Sequence, residues 1–291
     1  MAMAVKIRGE GIEAVIEERG AELVSLADTT TGKEALWSGD PLYWARRSPI
    51  LFPIVGRLKR DEYAVCGKPY TMNQHGFARD SVFNIIEKHS DKAVFLLKST
   101  GETLSKYPFH FSLAVTYELK DGSLLAGAAI KNEGDGPMPF SIGFHPGFKC
   151  PFEDGDKLGD YALFFESPEE CERLVLESGL VAGNEFLSLS GGVIALSEEL
   201  FERDALILKG LKSQKVTLGR IDESGRKIEV AFPGIPYLGI WKKKDAPFVC
   251  IEPWHGVHDR KEAGGDIFSK EGIIVLPQNA EFSTSFTVSI L

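Results

Sequence analysis

Alternation of apolar and polar residues with a period of two is the feature that most constrains how this chain can fold. In the clearest case, residues 109–119, every second residue is aromatic or aliphatic and most of the residues between them are polar. This period is that of a β-strand with one buried face. Residues 282–290 repeat it, and the segments 216–221 and 227–232 flank Asp-Glu-Ser-Gly, which predicts a hairpin. Further strands are expected at residues 12–17, 93–98 and 124–131.

Helical periodicity is weak along the chain. Only Ser197–Phe201 has the composition of one or two helical turns. Strands do not alternate with helices, which argues against a doubly wound sheet or an α/β barrel. No linker, low-complexity tract or repeat divides the sequence. We therefore predict an all-β, mainly antiparallel fold, in which residues 1–291 form one large β-sandwich domain.

Charge and composition exclude several classes of partner. The net charge of −9 repels phosphate backbones, so we expect no nucleic-acid partner. No run approaches the ~18 apolar residues of a membrane helix, and the N-terminus lacks the apolar core of a signal peptide. The four cysteines lie far apart without a CxxC pair, as in proteins of reducing compartments. A cytoplasmic protein without a membrane partner is expected.

Four short polar segments interrupt the apolar sequence. They are LFPIVGRL (51–58), HGFARD (75–80), FHPGF (144–148) and IEPWHG (251–256). Taken alone, Arg57 in the first segment is interpreted as structural and His75 in the second as a loop residue. His258, just beyond the fourth, is interpreted as a surface or strand residue.

His145 and Glu252 are the candidates for proton transfer. Each follows apolar residues and precedes a proline, which favours an extended backbone and predicts that each lies at a strand end. A carboxylate buried there needs a partner or a ligand, and desolvation would raise its pKa. Because histidine titrates near neutral pH, a Glu–His pair is suited to moving protons at pH 7. The alternative is a strand-end salt bridge or a capped loop.

A metal site is the other interpretation of the fourth segment. His255 and His258 are three residues apart, with Glu252 nearby. Pro253 and Gly256 argue against the helix on which two histidines usually share one face. We expect no metal.

Together the four motifs resemble the aldose 1-epimerase (galactose mutarotase) family, and its LacX-like branch in particular. The resemblance begins at Gly20–Leu26, continues through Trp37 and the segment from Tyr43 to Arg57, and ends near Leu276. It implies the large β-sandwich of that family. It also implies a small sugar as the partner and no cofactor; a homodimer stays open.

The resemblance further implies roles for individual residues. Glu252 matches the catalytic base of the family and His145 the catalytic acid, with the two facing each other across the anomeric carbon of the sugar. Arg57 and His75 match positions that bind sugar hydroxyls, and Asp204 resembles the substrate-binding aspartate. The FHPGF segment departs from the asparagine–histidine pattern of better-known mutarotases and follows the LacX-like pattern, which leaves the sugar open.

Two other functions fit the same sequence. Some related epimerases act on hexose 6-phosphates, and Arg57, Lys59, Arg60 and Arg79 could supply a phosphate clamp. We favour the alternative, in which Lys59 and Arg60 are solvated and the substrate is a free hexose. The second alternative function is a sugar-binding module without catalysis. Such a module would not need both a proton donor and a proton acceptor, so the presence of His145 and Glu252 argues against it.

Overall fold

Strands dominate the computed structural model, which describes residues 3–291. The strands are β1 (Ala4–Gly9), β2 (Ile12–Glu17), β3 (Leu23–Asp28), β4 (Ile50–Leu51), β5 (Glu62–Val65), β6 (Lys68–Thr71), β7 (Asn84–Lys88), β8 (Lys92–Lys98), β9 (Phe111–Lys120), β10 (Ser123–Asn132), β11 (Met138–Phe140), β12 (Ile142–Phe144), β13 (Gly147–Lys149), β14 (Tyr161–Phe165), β15 (Glu169–Glu177), β16 (Leu180–Leu189), β17 (Val193–Ala195), β18 (Leu206–Lys209), β19 (Lys215–Arg220), β20 (Ile228–Ala231), β21 (Tyr237–Trp241), β22 (Phe248–His255), β23 (Ile274–Leu276) and β24 (Glu281–Ile290). One α-helix, α1 (Gly101–Lys106), and five short 3₁₀ turns (Lys59–Asp61, Ala78–Asp80, Leu158–Asp160, Glu199–Phe201 and Ile267–Ser269) complete the elements of these residues.

Two large sheets form the body of the fold. The first has nine strands in the order β17-β14-β19-β20-β24-β10-β9-β8-β7. The second has eight, in the order β16-β15-β18-β21-β22-β12-β4, with β13 also paired to β22. A three-stranded sheet, β1-β2-β3, and the pairs β11-β23 and β5-β6 are smaller. Pairings between these strands are antiparallel throughout residues 3–291, which confirms the predicted fold class.

The apolar faces of the two large sheets share one core. In β9 every second side chain from Phe111 to Leu119 is buried, as the period of two predicted. The sheets meet through aromatic contacts: the rings of Phe144 on β12 and Phe286 on β24 lie 4.7 Å apart. The predicted hairpin is present as β19 and β20. The alternating pattern therefore located the strands because each has one face in this core.

Some boundaries differ from the sequence prediction. Strand β9 begins at Phe111 rather than at residue 109, and Ser197–Phe201 contains only the short turn Glu199–Phe201. Helix α1 was not predicted. It begins at a capping box in which the Thr100 side chain accepts from the Thr103 backbone N–H, a short signal that apolar periodicity does not include. None of the helices in the described part of the chain has the length and apolar character needed to cross a bilayer.

Candidate active site

An interrupted strand beside β22 brings His145 and Glu252 together. Strands β12 and β13 pair with β22 in the same antiparallel register, on either side of a two-residue interruption formed by His145 and Pro146. This register places His145 directly opposite Glu252. Directly opposite residues of an antiparallel pair point to the same face of the sheet. The ladder itself therefore brings the two side chains to one place.

Glu252 lies in the middle of β22, so the prediction that it ends a strand is wrong. The strand continues through Pro253 to His255. The Ile251 N–H donates to Pro146 O at the interruption. By alternation, the nitrogen of Pro253 faces the same side, where the neighbouring strand is broken. A proline is tolerated there because no ladder hydrogen bond has to be donated.

The two side chains are in direct contact. His145 Nε2 lies 3.0 Å from Glu252 Oε2, and both residues are buried. The contact is not a hydrogen bond, and Glu252 Oε2 has no hydrogen-bond partner among the described residues. The other ring nitrogen of His145, Nδ1, has none among them either. Acid and base lie side by side in the structure, closer than an arrangement on opposite sides of a carbon atom would place them.

Burial moves the pKa values of this pair in opposite directions. Burial, and then the charge of Asp204, raises the pKa of Glu252 well above its usual value. Burial lowers the pKa of His145 to about 3. One proton shared by the pair can reside on either residue. Moving that proton between the two residues converts an acid and a neutral imidazole into a carboxylate and an imidazolium without changing the net charge of the pocket.

The pair lies in a pocket of about 320 Å³. Its walls are aromatic and its polar groups converge from several loops. The lining residues are Trp44, Gln74, His75, Arg79, His145, Asp204, Ala205, Trp241, Glu252, Trp254 and His258. The rings of Trp44 and His145 lie 4.9 Å apart, and those of Trp44 and Trp241 lie 5.6 Å apart, edge to face. Aromatic faces beside fixed polar groups suit a ligand with both apolar and hydroxyl-bearing surfaces.

Unsatisfied polar atoms are concentrated in this pocket. Among the described residues, seven buried side-chain nitrogen or oxygen atoms have no hydrogen-bond partner. Four of them belong to pocket residues: Arg79 Nε, His145 Nδ1, Glu252 Oε2 and Trp254 Nε1. Because buried polar groups are normally paired, this concentration indicates a polar ligand.

Two of the predicted binding residues line the pocket and one does not. His75 and Asp204 share it with the catalytic candidates. Arg57 does not line it: the side chain is 46% exposed, and Nε lies 3.2 Å from Asp61 Oδ1. The structure does not bring Arg57 together with the other predicted site residues, and its role in binding sugar hydroxyls stays a prediction. The LFPIVGRL segment contributes backbone instead, since the Gly56 N–H donates to His75 Nδ1 at 3.1 Å.

His258 is the pocket residue that the sequence analysis missed. Interpreted as a surface or strand residue, it is buried and lines the pocket. No local pattern announces it, since it follows the strand in a loop. The other histidine of the proposed metal pair, His255, lies elsewhere, with Nε2 at 2.9 Å from Thr284 Oγ1.

A third polar side chain, Cys250, lies beside the pair. Cys250 and Glu252 are two residues apart on β22 and so share a face. Ligand atoms of His145, Cys250 and Glu252 lie within 4.8 Å of one another, close enough to surround one ion. Burial raises the pKa of Cys250 well above its usual value, which keeps it a thiol; a metal would require the thiolate.

Family comparison agrees with this fold and site. The family described as Aldose 1-epimerase matches residues 3–173, more than half of the chain. The chain belongs to the aldose 1-epimerase family.

Its relatives specify the branch. "Protein LacX, chromosomal" of Lactococcus lactis subsp. lactis is 33% identical, over 99% of this chain and 100% of that protein. A galactose mutarotase related enzyme from Lactobacillus acidophilus has a TM-score of 0.95 at 35% identity, covering 99% of this chain and 97% of that one. A galactose mutarotase-like protein from Lactobacillus casei ATCC 334 has a TM-score of 0.92 at 32% identity, covering 99% and 100%. The predicted resemblance and the mutarotase-type sandwich are thus confirmed.

Proposed function

We propose that this protein is an aldose 1-epimerase that interconverts the α and β anomers of a free hexose. The observation that carries the proposal is the 3.0 Å contact between His145 Nε2 and Glu252 Oε2 in a pocket with unsatisfied polar atoms. The two oxygens that exchange protons in this reaction are bonded to the same carbon. An acid and a base that lie side by side can therefore reach both of them at once.

The reaction needs only these two groups. Glu252, as a carboxylate, removes the proton of the hydroxyl on C1 while His145, as an imidazolium, protonates the ring oxygen. The C1–O5 bond breaks and an open-chain aldehyde forms. Rotation about C1–C2 presents the other face of the carbonyl. Ring closure with the proton transfers reversed gives the other anomer and restores both residues.

The remaining pocket residues hold the ring. Trp44 and Trp241 offer aromatic faces, and His75 and Asp204 offer polar groups to hydroxyls. Fixing the ring keeps the two oxygens on C1 within reach of the acid and the base, and misalignment by about 1 Å can cost ~100-fold in rate.

Anomer interconversion, followed by polarimetry or NMR with a panel of free aldoses, tests the proposal. Glu252→Gln removes the base and His145→Asn the acid, and each should lower kcat by ~10²–10⁴, the usual contribution of a positioned acid or base. The double variant should lose less than the product of the two losses, since both groups act in one cycle.

Matched controls separate chemistry from folding. Glu169 is also buried; its carboxylate accepts from the backbone N–H groups of Lys212 and Ser213, and it does not line the pocket. Glu169→Gln should leave kcat within about twofold of wild type if the protein stays folded. A wild-type protein that binds aldoses without interconverting them would instead be a non-catalytic sugar-binding module.

A hexose 6-phosphate is the second candidate substrate, and Arg79 is the observation that favours it. Arg79 lines the pocket, and its Nε has no hydrogen-bond partner; the nearest carboxylate, of Asp80, lies 3.9 Å away. Arg46 lies next to it and donates to Arg79 O. The other members of the predicted clamp do not line the pocket, since Arg60 is exposed beside Glu62 and Lys59 lies on the same turn.

Substitution of Arg79 distinguishes the two substrates. Arg79→Ala should raise KM for a sugar phosphate by ~10-fold or more if Arg79 binds the phosphoryl group, because charge-assisted bonds are the stronger kind. We expect free aldoses to be turned over and the phosphate to give no advantage. A large kcat/KM preference of the wild type for the phosphate would reverse that choice.

A further inference from the structure

Two imidazoles beside the catalytic pair are held by backbone groups that fix where each proton resides. The Gly56 N–H donates to His75 Nδ1 at 3.1 Å, so that nitrogen is an acceptor and the proton of His75 is on Nε2. His258 Nδ1 lies 2.8 Å from Gly179 O. A carbonyl only accepts, so His258 carries its proton on Nδ1 and presents a lone pair at Nε2. The backbone N–H of Arg57 also points at His258 Nδ1, at 3.2 Å, and would require the opposite tautomer. We assign the proton from the shorter contact, that to the carbonyl oxygen.

The ring of His258 is closely confined. Gly56 adopts φ 76°, and a Cβ atom there would lie 2.5 Å from His258 Cδ2. Only glycine leaves room for the imidazole at this position. Confinement by Gly56 and the hydrogen bond to Gly179 together fix the direction of the Nε2 lone pair. In a flexible side chain this direction would not be fixed.

Both imidazoles are buried and remain neutral at pH 7. Burial lowers the pKa of His258 to about 4, and burial followed by the charges of neighbouring groups lowers that of His75 well below its usual value. The two tautomers therefore persist under working conditions. The atom of Gln74 nearest His75 Nε2, at 3.2 Å, is the amide nitrogen. An amide nitrogen only donates, so the His75 N–H has no acceptor in this contact unless the amide turns its oxygen toward it.

We propose that His258 is a residue that determines substrate specificity. Its Nε2 atom accepts a hydrogen bond from one free sugar hydroxyl. His75, whose ring centroid lies 6.2 Å from that of His258, presents the complementary donor to the same sugar. This inference rests on the proposed function, since it assigns a second binding contact in the same pocket.

The proposal defines a substrate class. Among the lining residues, His258 and Asp204 offer acceptors to a ligand, while Arg79 and His75 offer donors. The hydroxyl that reaches His258 has to be free, because an ether or a phosphoryl group there has no proton to donate. A site built to bind a hydroxyl discriminates against analogues that lack it, since its own polar group is then left unpaired.

Monodeoxy and deoxyfluoro analogues of the best aldose test the proposal, with kcat and KM measured for wild type, His258→Ala and His258→Gln. Removal of one particular hydroxyl should lower wild-type kcat/KM by about tenfold. The deoxyfluoro analogue at that position should be equally poor, because fluorine has no proton to donate. His258→Ala should lower kcat/KM for the parent sugar by about the same factor and leave it indifferent to that hydroxyl. His258→Gln, which restores an acceptor, should recover part of the loss.

Two outcomes would overturn the proposal. An equal loss in His258→Ala for the parent sugar and every deoxy analogue would mean that His258 only supports the Gly179 loop. A wild-type protein that accepts the fluoro analogue but rejects the deoxy one would mean that Nε2 donates. His255→Asn is the matched control: this histidine is partly buried, lies outside the pocket and bonds to Thr284, so the substitution should change the selectivity for no hydroxyl.

The same series separates this inference from the proposed function. If the wild type interconverts no sugar, the proposed function fails, while calorimetric titration of the analogues still shows whether His258 recognises one hydroxyl. If sugars are interconverted but the hydroxyl dependence is unchanged in His258→Ala, only the present inference fails.

Discussion

Glu252 and His145 show how two ordinary side chains acquire complementary roles. Both lie in the same buried contact, and burial disfavours the charged form of each. The carboxyl therefore keeps its proton to higher pH and the imidazole loses its proton at lower pH. The sequence indicated both residues, because each stands beside a proline after an apolar run. Their 3.0 Å contact was not predictable, since it depends on the register between two strands distant in the chain.

The pH dependence of kcat/KM should reflect this arrangement. The active pair holds one proton, so activity is lost when a second proton binds at low pH and when the only proton leaves at high pH. The pKa of His145 is about 3 and that of Glu252 is raised. We therefore expect kcat/KM to stay flat from neutral pH down to about pH 4, which is one pH unit above the pKa of His145. Rates in overlapping buffers, with folding checked by circular dichroism, would show this. An acid limb centred near 6.5 would mean that His145 is not desolvated in the working enzyme.

Cys250 raises the separate question of metal dependence. Its thiol lies beside the pair, but proton transfer between Glu252, His145 and a sugar requires no ion. Activity should survive prolonged treatment with EDTA, and Cys250→Ala should keep kcat within about threefold, since a buried thiol there acts mainly as a small apolar group. Loss of activity on chelation, restored by one divalent ion and not seen in Cys250→Ala, would contradict the metal-free mechanism.

At the scale of elements, the interrupted strand explains which predictions failed. Pro253 was interpreted as the end of a strand, whereas the strand passes through it because the neighbouring strand is broken there. Arg57 was assigned to binding from its motif, whereas the turn contributes backbone N–H groups: that of Gly56 donates to His75, and that of Arg57 lies against His258. Local sequence indicates where a strand or a turn lies. Only tertiary packing decides which of its backbone groups face a distant loop.

Gly239 on β21 provides a test of the strand geometry around the pair. It lies opposite Glu252, and a Cβ there would lie 2.8 Å from the Trp254 ring and 3.3 Å from Glu252 Cβ. Gly239→Ala should displace both side chains, lower kcat by roughly 10–100-fold through misalignment and cost about 1–3 kcal/mol of stability. Steady-state kinetics and thermal unfolding measure the two effects.

Gly127 on β10 is the matched control. It is also a strand glycine, but it lies in the nine-stranded sheet, and its nearest contacts to an added Cβ are 3.6 Å or longer. Gly127→Ala should leave kcat unchanged. If Gly239→Ala were equally silent, the pair would tolerate movement of its strand, and the proposed dependence on ladder geometry would be wrong.

For the whole molecule, the fold was largely predictable from the period of two, because most long strands bury one face in the shared core. The order of strands in the two sheets was not, since nothing in β22 specifies that its neighbours are β21, β12 and β13. The assignment of the chain to one domain stays a prediction.

Thermal stability should depend on pH through the histidines that are buried or partly buried. Four of them have lowered pKa values: His75, His145, His255 and His258. At pH values between the pKa of these histidines in the unfolded chain, 6.5, and their lower pKa values in the folded protein, the unfolded chain binds more protons than the folded protein does. The free energy of unfolding therefore rises with pH in this range. Glu22 and Glu252 have raised pKa values, so above pH 4.5 they lower stability as the pH rises. These two carboxyl groups are outnumbered by the four histidines.

Tm should therefore fall between about pH 6.5 and about pH 5 as the unfolded state takes up protons. In His255→Asn, which removes a titrating group outside the pocket, the fall should be shallower. Differential scanning fluorimetry across this range makes the comparison. A Tm that is constant, or that rises on acidification, would show that these histidines are not neutral in the folded protein.

The interrupted strand also separates two kinds of evolutionary freedom. The alignment of acid and base is fixed by the hydrogen-bonded register of β22 with β12 and β13, which mutations in loops do not alter. Other polar groups of the pocket come instead from connections between strands: the segment with His75 and Arg79, the turn with Asp204, and the loop with His258. Such connections tolerate substitution and changes of length far better than a central strand does. Under the proposed function, a lineage can thus replace the sugar it acts on, one connection at a time, while the acid–base pair that opens the ring is inherited unchanged.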